Sequence, residues 1–147
     1  GHTLSHVAFH GAGIVFCGDT LFSLGCGRLF EGTPARMLAS LERLAALPAD
    51  TRVCCGHEYS LANAAFAAVA DPDNAALRAR TEEIRHMRQL GRPSLPVRLA
   101  SELDCNPFLR TATPAVIASV AARLGHAPAS NVDTFAELRR WKDGFRA

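Results

Sequence analysis

The sequence lacks the features that mark membrane and nucleic-acid-binding proteins. It has no apolar run near the roughly 20 residues that cross a bilayer, and no charged start followed by an apolar signal core. We therefore expect a soluble protein with no membrane partner. Charge of one sign is also lacking, since 16 lysines and arginines stand against 14 acids, a net charge of +2. Nucleic-acid binding needs a strongly basic surface, so we predict no nucleic-acid partner.

The cysteines lack any C-x-x-C pair. There are five of them, Cys17, Cys26, Cys54, Cys55 and Cys105. An odd number without that spacing favours neither a disulfide framework nor a zinc ribbon. Because free thiols persist in reducing compartments, we expect a cytoplasmic location.

The chain is long enough to form a core, and its character changes along its length. Apolar residues make up 48% of its 147 residues, which suffices for one ordinary domain. Near residue 60, short strand-like runs with glycine turns give way to helical patterns rich in alanine, leucine and arginine. We therefore predict an α+β protein in two parts, residues 1–59 and residues 60–147, that pack on each other.

The first part should contain a hairpin, a helix and a further strand. Residues 7–10 and 14–17 are apolar runs on either side of a glycine turn, which predicts two paired strands. Thr33 can cap a helix that has Pro34 at its first position and apolar residues at helical spacing as far as position 47. Residues 51–55 are the candidate for a third strand.

The second part should contain four helices, separated by proline, glycine and capping residues. The patterns predict them from residue 60 to about 69, from beyond 73 to 90, from 114 to 124, and from 131 to about 145. The last follows a sequence that resembles a capping box at residues 130–133. This order indicates a sheet in the first part with helices around it.

Three short segments place a metal-capable residue at the end of a strand-like run. They are residues 1–6 (GHTLSH), 18–20 (GDT) and 55–59 (CGHEY). Imidazole nitrogen and carboxylate oxygen suit zinc, iron or manganese, and one aspartate can bridge two cations. Two cations held in this way lower the pKa of a water that they share. The resulting hydroxide is a nucleophile that can attack an ester or thioester. A histidine after glycine is, however, more often part of a turn, so the residues alone leave metal binding and a structural role equally open.

A longer resemblance favours the metal-binding interpretation. Residues 15–33, VFCGDTLFSLGCGRLFEGT, closely resemble the long signature of the glyoxalase II family, also called hydroxyacylglutathione hydrolases. The similarity continues at residues 47–48 (LP), 55–59, 106–110 (NPFLR) and 139–143 (RRWKD). It implies the C-terminal half of an αββα metallo-β-lactamase fold in residues 1–59. Residues 60–147 would then be the family's helical substrate-binding domain.

The resemblance also implies two divalent metal ions, with zinc in first place and iron or manganese as alternatives. It assigns His2 to the first metal, His57 to the second, and Asp19 to both, as the bridging and catalytic carboxylate. The family's other four ligands belong to an H-x-H-x-D-H motif, which this sequence does not contain; its other four histidines have a different spacing. We therefore expect that motif in an N-terminal segment that is missing from this chain.

The resemblance further implies contacts to a glutathione thioester, a small molecule whose two carboxylates require cationic partners. The implied substrate-binding residues are Arg28, Phe30, His57, Tyr59, Arg139 and Lys142. Phe30 departs from the family, which usually has tyrosine there, and the missing hydroxyl should weaken one contact. Without the resemblance, the cations at positions 139 to 142 would be explained by the dipole of a final helical turn.

The implied reaction is hydrolysis of an S-(2-hydroxyacyl)glutathione, typically S-lactoylglutathione to lactate and glutathione, by a hydroxide held between two metals. This is a step of methylglyoxal detoxification. One alternative is a persulfide dioxygenase, which resembles glyoxalase II in fold but uses a single iron. Residues 21–28 and the helical part argue against it. Another alternative is a non-catalytic glutathione-binding fragment. Metal analysis would distinguish the two, since this chain alone should hold metal poorly and the upstream segment should restore two equivalents.

Overall fold

The computed structural model describes residues 1–146, and within them strands and helices are mixed, as the α+β prediction requires. The strands are β1 (Phe9–Gly11), β2 (Ile14–Gly18), β3 (Leu21–Phe22), β4 (Gly25–Cys26), β5 (Arg52–Cys55) and β6 (Val97–Arg98). The helices are α1 (Pro34–Ala45), α2 (Ser60–Ala70), α3 (Ala75–Gln89), α4 (Leu99–Cys105), α5 (Pro114–Leu124) and α6 (Asn131–Gly144). The α+β prediction is confirmed.

Four strands form one sheet in the order β1-β2-β5-β6. β1 and β2 are the predicted hairpin, although β1 begins at Phe9 rather than at residue 7. The chain before it turns out of the sheet, where the Nε2 of His6 lies 3.2 Å from the carbonyl oxygen of Cys17. β2 and β5 are parallel, so their carboxyl ends meet at one edge of the sheet. That edge is where the segments containing Asp19 and His57 begin.

Helix α1 follows from local signals in the sequence. The Oγ1 of Thr33 accepts a hydrogen bond from the backbone N–H of Arg36 at 3.3 Å, and Pro34 occupies the first helical position. One apolar face is buried, with Met37, Leu38, Leu41 and Leu44. The helix ends at Ala45, so Leu47 lies beyond it.

The four helices predicted in the second part are α2, α3, α5 and α6, each within two residues of the expected ends. Asn74 and Ser130 cap α3 and α6 through their side-chain oxygens, and Gly125 ends α5 in the left-handed region at φ 77°. Helix α4, the β3–β4 hairpin and strand β6 were not predicted. β6 pairs antiparallel with β5, so a segment between the helices completes the sheet.

One hydrophobic core joins the sheet to the helices. It includes Val15 and Val53 from the sheet and Phe66, Phe108 and Phe135 from the helical part. The rings of the last three follow one another at centroid distances of 5.9 Å. None of the helices within residues 1–146 is both long enough and apolar enough to cross a bilayer.

Candidate functional site

Asp19 lies in the turn that follows β2. Its backbone nitrogen lies 3.2 Å from the Nε2 of His6, and the N–H of the next residue, Thr20, donates to the carbonyl of Cys17 at 3.1 Å. The carboxylate occupies space that only a glycine at position 56 leaves open, because a Cβ there would collide with Asp19 Oδ1. The two predicted motifs at residues 18–20 and 55–59 therefore meet through Asp19 and Gly56.

The structure brings His2 and His57 to the same carboxylate. Asp19 Oδ2 lies 3.8 Å from the Nε2 of His2 and 3.5 Å from the Nε2 of His57. The Nδ1 of His2 is 2.8 Å from the carbonyl oxygen of Arg28, and because a carbonyl can only accept, Nδ1 must carry the proton. In the neutral ring this leaves Nε2, the nitrogen nearer Asp19, free to bind a metal.

These three residues fit part of a metal centre. A carboxylate between two imidazoles is a suitable donor set for cations that share one ligand. Within residues 1–146, however, no three histidine, cysteine, aspartate or glutamate side chains are close enough together to hold a metal ion by themselves. A tetrahedral zinc site takes four ligands, so the chain offers fewer donors than even one closed site requires.

A cavity of about 540 Å³ opens beside Asp19, and we call it the cleft. The first part of the chain, the β3–β4 hairpin, α2 and α6 all contribute to its walls. Seven of the eight site residues predicted from the sequence line it, namely His2, Asp19, Arg28, Phe30, Tyr59, Arg139 and Lys142. The eighth, His57, lies at the side of the cleft, where its ring stacks on Tyr59 at a centroid distance of 4.9 Å.

Arg139 is buried rather than solvated. Its Nη1 donates to the carbonyl of Cys26 at 2.7 Å and its Nη2 donates to Asp143 Oδ1 at 3.0 Å, while its Nε has no partner. Only 7% of the residue is exposed. Arg139 lies before the last turn of α6, so the helix-dipole explanation is wrong for it; its guanidinium is turned towards the β3–β4 hairpin. Lys142, by contrast, does lie in the last turn of α6.

Lys142 also presents a positive charge to the cleft. Its Nζ donates to the carbonyl of Ala62 at 3.1 Å and lies 5.3 Å from the centre of the Phe66 ring. Burial, assisted by the nearby charge of Arg139, lowers the pKa of Lys142 to about 8. The ammonium is therefore mostly protonated at neutral pH and able to pair with a carboxylate.

The remaining predicted residues of the cleft are Arg28, Phe30 and Tyr59. Arg28 is exposed, and its Nε lies 3.6 Å from Asp143 Oδ1. The ring of Phe30 packs on that of His2 at 4.7 Å, and the ring of Tyr59 packs on that of Phe22 at 5.2 Å. The cleft is thus lined by His2 and Asp19, by the aromatic rings of Phe22, Phe30 and Tyr59, and by the cations Arg28, Arg139 and Lys142.

Asp143 and Asn63 were given no role from the sequence, although Asp143 ends the segment 139–143 that carries the resemblance. Asp143 contacts both Arg139 and Arg28 and so holds two cations at the cleft. Asn63 donates from its Nδ2 to the carbonyl of Ser23 at 3.0 Å and supports the β3–β4 hairpin. The signal for Asp143 was its spacing of four from Arg139 on a helix.

Comparison with known families agrees with this geometry. Residues 1–57 match the family described as the metallo-beta-lactamase superfamily, which is the class that the sheet and the Asp19 cluster define. Residues 58–145 match the family described as hydroxyacylglutathione hydrolase C-terminus. The chain belongs to the hydroxyacylglutathione hydrolase family, and the resemblance first seen in residues 15–33 is confirmed.

Individual relatives are similar over the whole chain. It is 62% identical over 147 residues to the hydroxyacylglutathione hydrolase of Xanthomonas campestris pv. campestris (strain B100), covering 100% of this chain and 58% of that relative. The corresponding protein of Xanthomonas axonopodis pv. citri (strain 306) is 63% identical with the same coverage. That of Xylella fastidiosa (strain M12) is 59% identical over 145 residues, covering 99% of this chain and 56% of the relative. The chain thus spans somewhat more than half the length of these curated relatives.

Proposed function

We propose that this chain belongs to an enzyme that hydrolyses the thioester of an S-(2-hydroxyacyl)glutathione, typically S-lactoylglutathione to lactate and glutathione. Its role would be a step of methylglyoxal detoxification. The observation that carries the proposal is the position of Asp19 between His2 and His57, in a cleft that three cations also line. The name shared by the similar relatives supports it.

The chain would divide into residues 1–59, a part of a metallo-β-lactamase-like domain, and residues 60–147, a substrate-binding domain. The remaining metal ligands would come from a segment within the part of the relatives that this chain does not span. The small number of donors around Asp19 supports this arrangement. A cytoplasmic location remains part of the proposal, supported by five cysteines that are all free in the structure.

Two divalent metal ions would bind at Asp19, with zinc in first place and iron or manganese as alternatives. His2 would hold one, His57 the other, and the carboxylate of Asp19 both. When bound, such ions lower the pKa of a water so that it can attack a carbonyl at neutral pH. The contribution of the chain is to keep these ligands in place, since the carbonyl of Arg28 fixes the His2 ring and Gly56 leaves room for the carboxylate.

The cationic residues of the cleft would bind glutathione. Lys142 and Arg28 would pair with its carboxylates, and Arg139 would add charge and a free Nε–H. The aromatic rings of Phe30 and Tyr59, together with the His57 ring, would line the path to the thioester. Because a departing thiolate is weakly basic, the chain needs no dedicated acid at the sulfur.

The test uses an extended protein, in which this chain is joined to the portion that its relatives have in addition. Variants of this extended protein are compared. We expect the extended protein to hydrolyse S-lactoylglutathione, to bind two equivalents of metal, and to lose at least about a hundredfold in kcat in Asp19→Ala. Asp50→Ala is the control, because Asp50 is an exposed aspartate outside the cleft. Unchanged hydrolysis in Asp19→Ala would exclude the assignment of Asp19, and oxygen consumption with glutathione persulfide would favour a dioxygenase instead.

A further inference from the structure

A carboxylate that the proposed reaction does not use lies beneath the β3–β4 hairpin. Glu102, on α4, is completely buried, with an exposed fraction of 0%. Its Oε1 accepts a hydrogen bond from the Oγ of Ser23 at 2.8 Å. Its Oε2 accepts from the backbone N–H of Leu24 at 2.8 Å and from the Nδ2 of Asn106 at 2.9 Å. Burial raises the pKa of Glu102, and these hydrogen bonds offset that effect only in part.

The hairpin held by Glu102 has an unfavourable backbone conformation. Leu24 has φ 57°, in the left-handed region that disfavours a residue with a Cβ. The backbone N–H of Leu24 is the group that donates to Glu102 Oε2. Two amide side chains support the same turn, because Asn106 donates to the carbonyls of Phe22 and Gly25 and Asn63 donates to that of Ser23. The turn therefore depends on polar groups supplied by the helices.

This hairpin forms part of the cleft. Phe22, which precedes the turn, lines the cleft and packs on the rings of Tyr59 and His57 at centroid distances of 5.2 and 6.1 Å. Cys26, which follows the turn, gives its carbonyl to Arg139. A shift of the turn would therefore move an aromatic wall and a cationic partner of the cleft together.

We propose that Glu102 is a positioning residue for substrate binding: it fixes the β3–β4 hairpin and thereby the wall of the cleft that Phe22 and Cys26 form. This inference rests on the proposed function, because the ligand is a glutathione thioester. The role depends on hydrogen-bond geometry rather than on charge. Glutamine can make the same contacts, since its NH₂ can donate to the Ser23 hydroxyl while its oxygen accepts from Leu24 and Asn106.

The experiment uses Glu102→Gln and Glu102→Leu in the extended, metal-loaded enzyme, with Asp71→Leu as the matched control. Asp71 is also buried, and its partners Asn74 and Arg110 lie outside the hairpin. Glu102→Leu keeps the volume but removes every hydrogen bond. It should raise the KM for S-lactoylglutathione about fivefold or more while kcat stays within about threefold. Glu102→Gln should restore KM to within about twofold of the wild type.

Amide hydrogen exchange supplies a readout that needs no substrate. The Leu24 amide should exchange about tenfold faster in Glu102→Leu than in Asp71→Leu, and at the wild-type rate in Glu102→Gln. If Glu102→Leu does not fold, Glu102→Asp replaces it, because it withdraws the carboxylate by one methylene. If Glu102→Leu exchanges Leu24 faster but has an unchanged KM, the inference about Glu102 is overturned while the proposed function stands. An equal rise in KM in Asp71→Leu would have the same meaning. Absence of thioester hydrolysis in the wild-type enzyme would overturn the proposed function and the inference with it.

Discussion

Arg139 joins helix α6 to the β3–β4 hairpin, and replacing it should destabilise the protein as well as weaken substrate binding. The change Arg139→Met removes the hydrogen bonds to Cys26 O and Asp143 Oδ1. A hydrogen bond to a charged group contributes about 1.5–3 kcal/mol, and a buried carbonyl left without a donor costs about 1–3 kcal/mol. Methionine retains much of the packing volume, and the cost of burying the guanidinium is removed. We therefore expect the free energy of unfolding to fall by about 2–4 kcal/mol.

Urea unfolding followed by circular dichroism measures that difference. A loss of about 3 kcal/mol should lower the thermal midpoint by about 6–12 °C in a chain of this size. Arg140→Met is the matched control, because Arg140 is itself exposed and its partner, the buried Glu137, keeps a second cation in Arg123; its effect should stay below about 1 kcal/mol. Equal unfolding free energies for the two variants would refute the reasoning, since the buried hydrogen bonds of Arg139 would then contribute nothing measurable.

Two further predictions concern substrate binding in the extended enzyme. The pKa of Lys142 is lowered to about 8, so its positive charge is present below that pH and is lost as the pH rises through it. The KM for S-lactoylglutathione should therefore rise between about pH 7 and pH 9. Lys142→Met should flatten this part of the pH profile of KM. The same rise in Lys142→Met would contradict the prediction. Phe30→Tyr returns the hydroxyl that the family usually has, and one added hydrogen bond should lower KM by about two- to tenfold. Steady-state kinetics would detect this, and an unchanged or raised KM would mean that the hydroxyl finds no partner in the cleft.

The elements that could be predicted from the sequence are those whose causes are local. Thr33 and Ser130 cap α1 and α6 because a side-chain oxygen reaches an N–H three residues later, and this spacing is visible in the sequence. The β3–β4 hairpin could not be predicted in this way. Each of its strands has two residues, and its turn depends on Glu102, which is 79 positions from Ser23.

The candidate site divides in the same manner. The segments with Asp19 and His57 could be recognised because each follows a strand-like run, and the structure brings both to one edge of the sheet. The burial of Arg139 could not be predicted, because its partner Cys26 is 113 positions away and a helical arginine normally reaches solvent. Periodicity therefore identified the helix, whereas tertiary contacts determined what its cation does.

Strand β6 has a consequence for how the protein can be divided. It comes from the segment between α3 and α4, yet it forms the outer strand of the sheet beside β5. A polypeptide that ended at residue 57, where the first matched region ends, would lack β6. Strand β5 would then have a free row of backbone donors and acceptors, which can pair with another chain. During synthesis, strand β6 can join the sheet only once residue 98 has left the ribosome. The region that carries the metal-capable residues therefore reaches its final form only together with the helices that follow it.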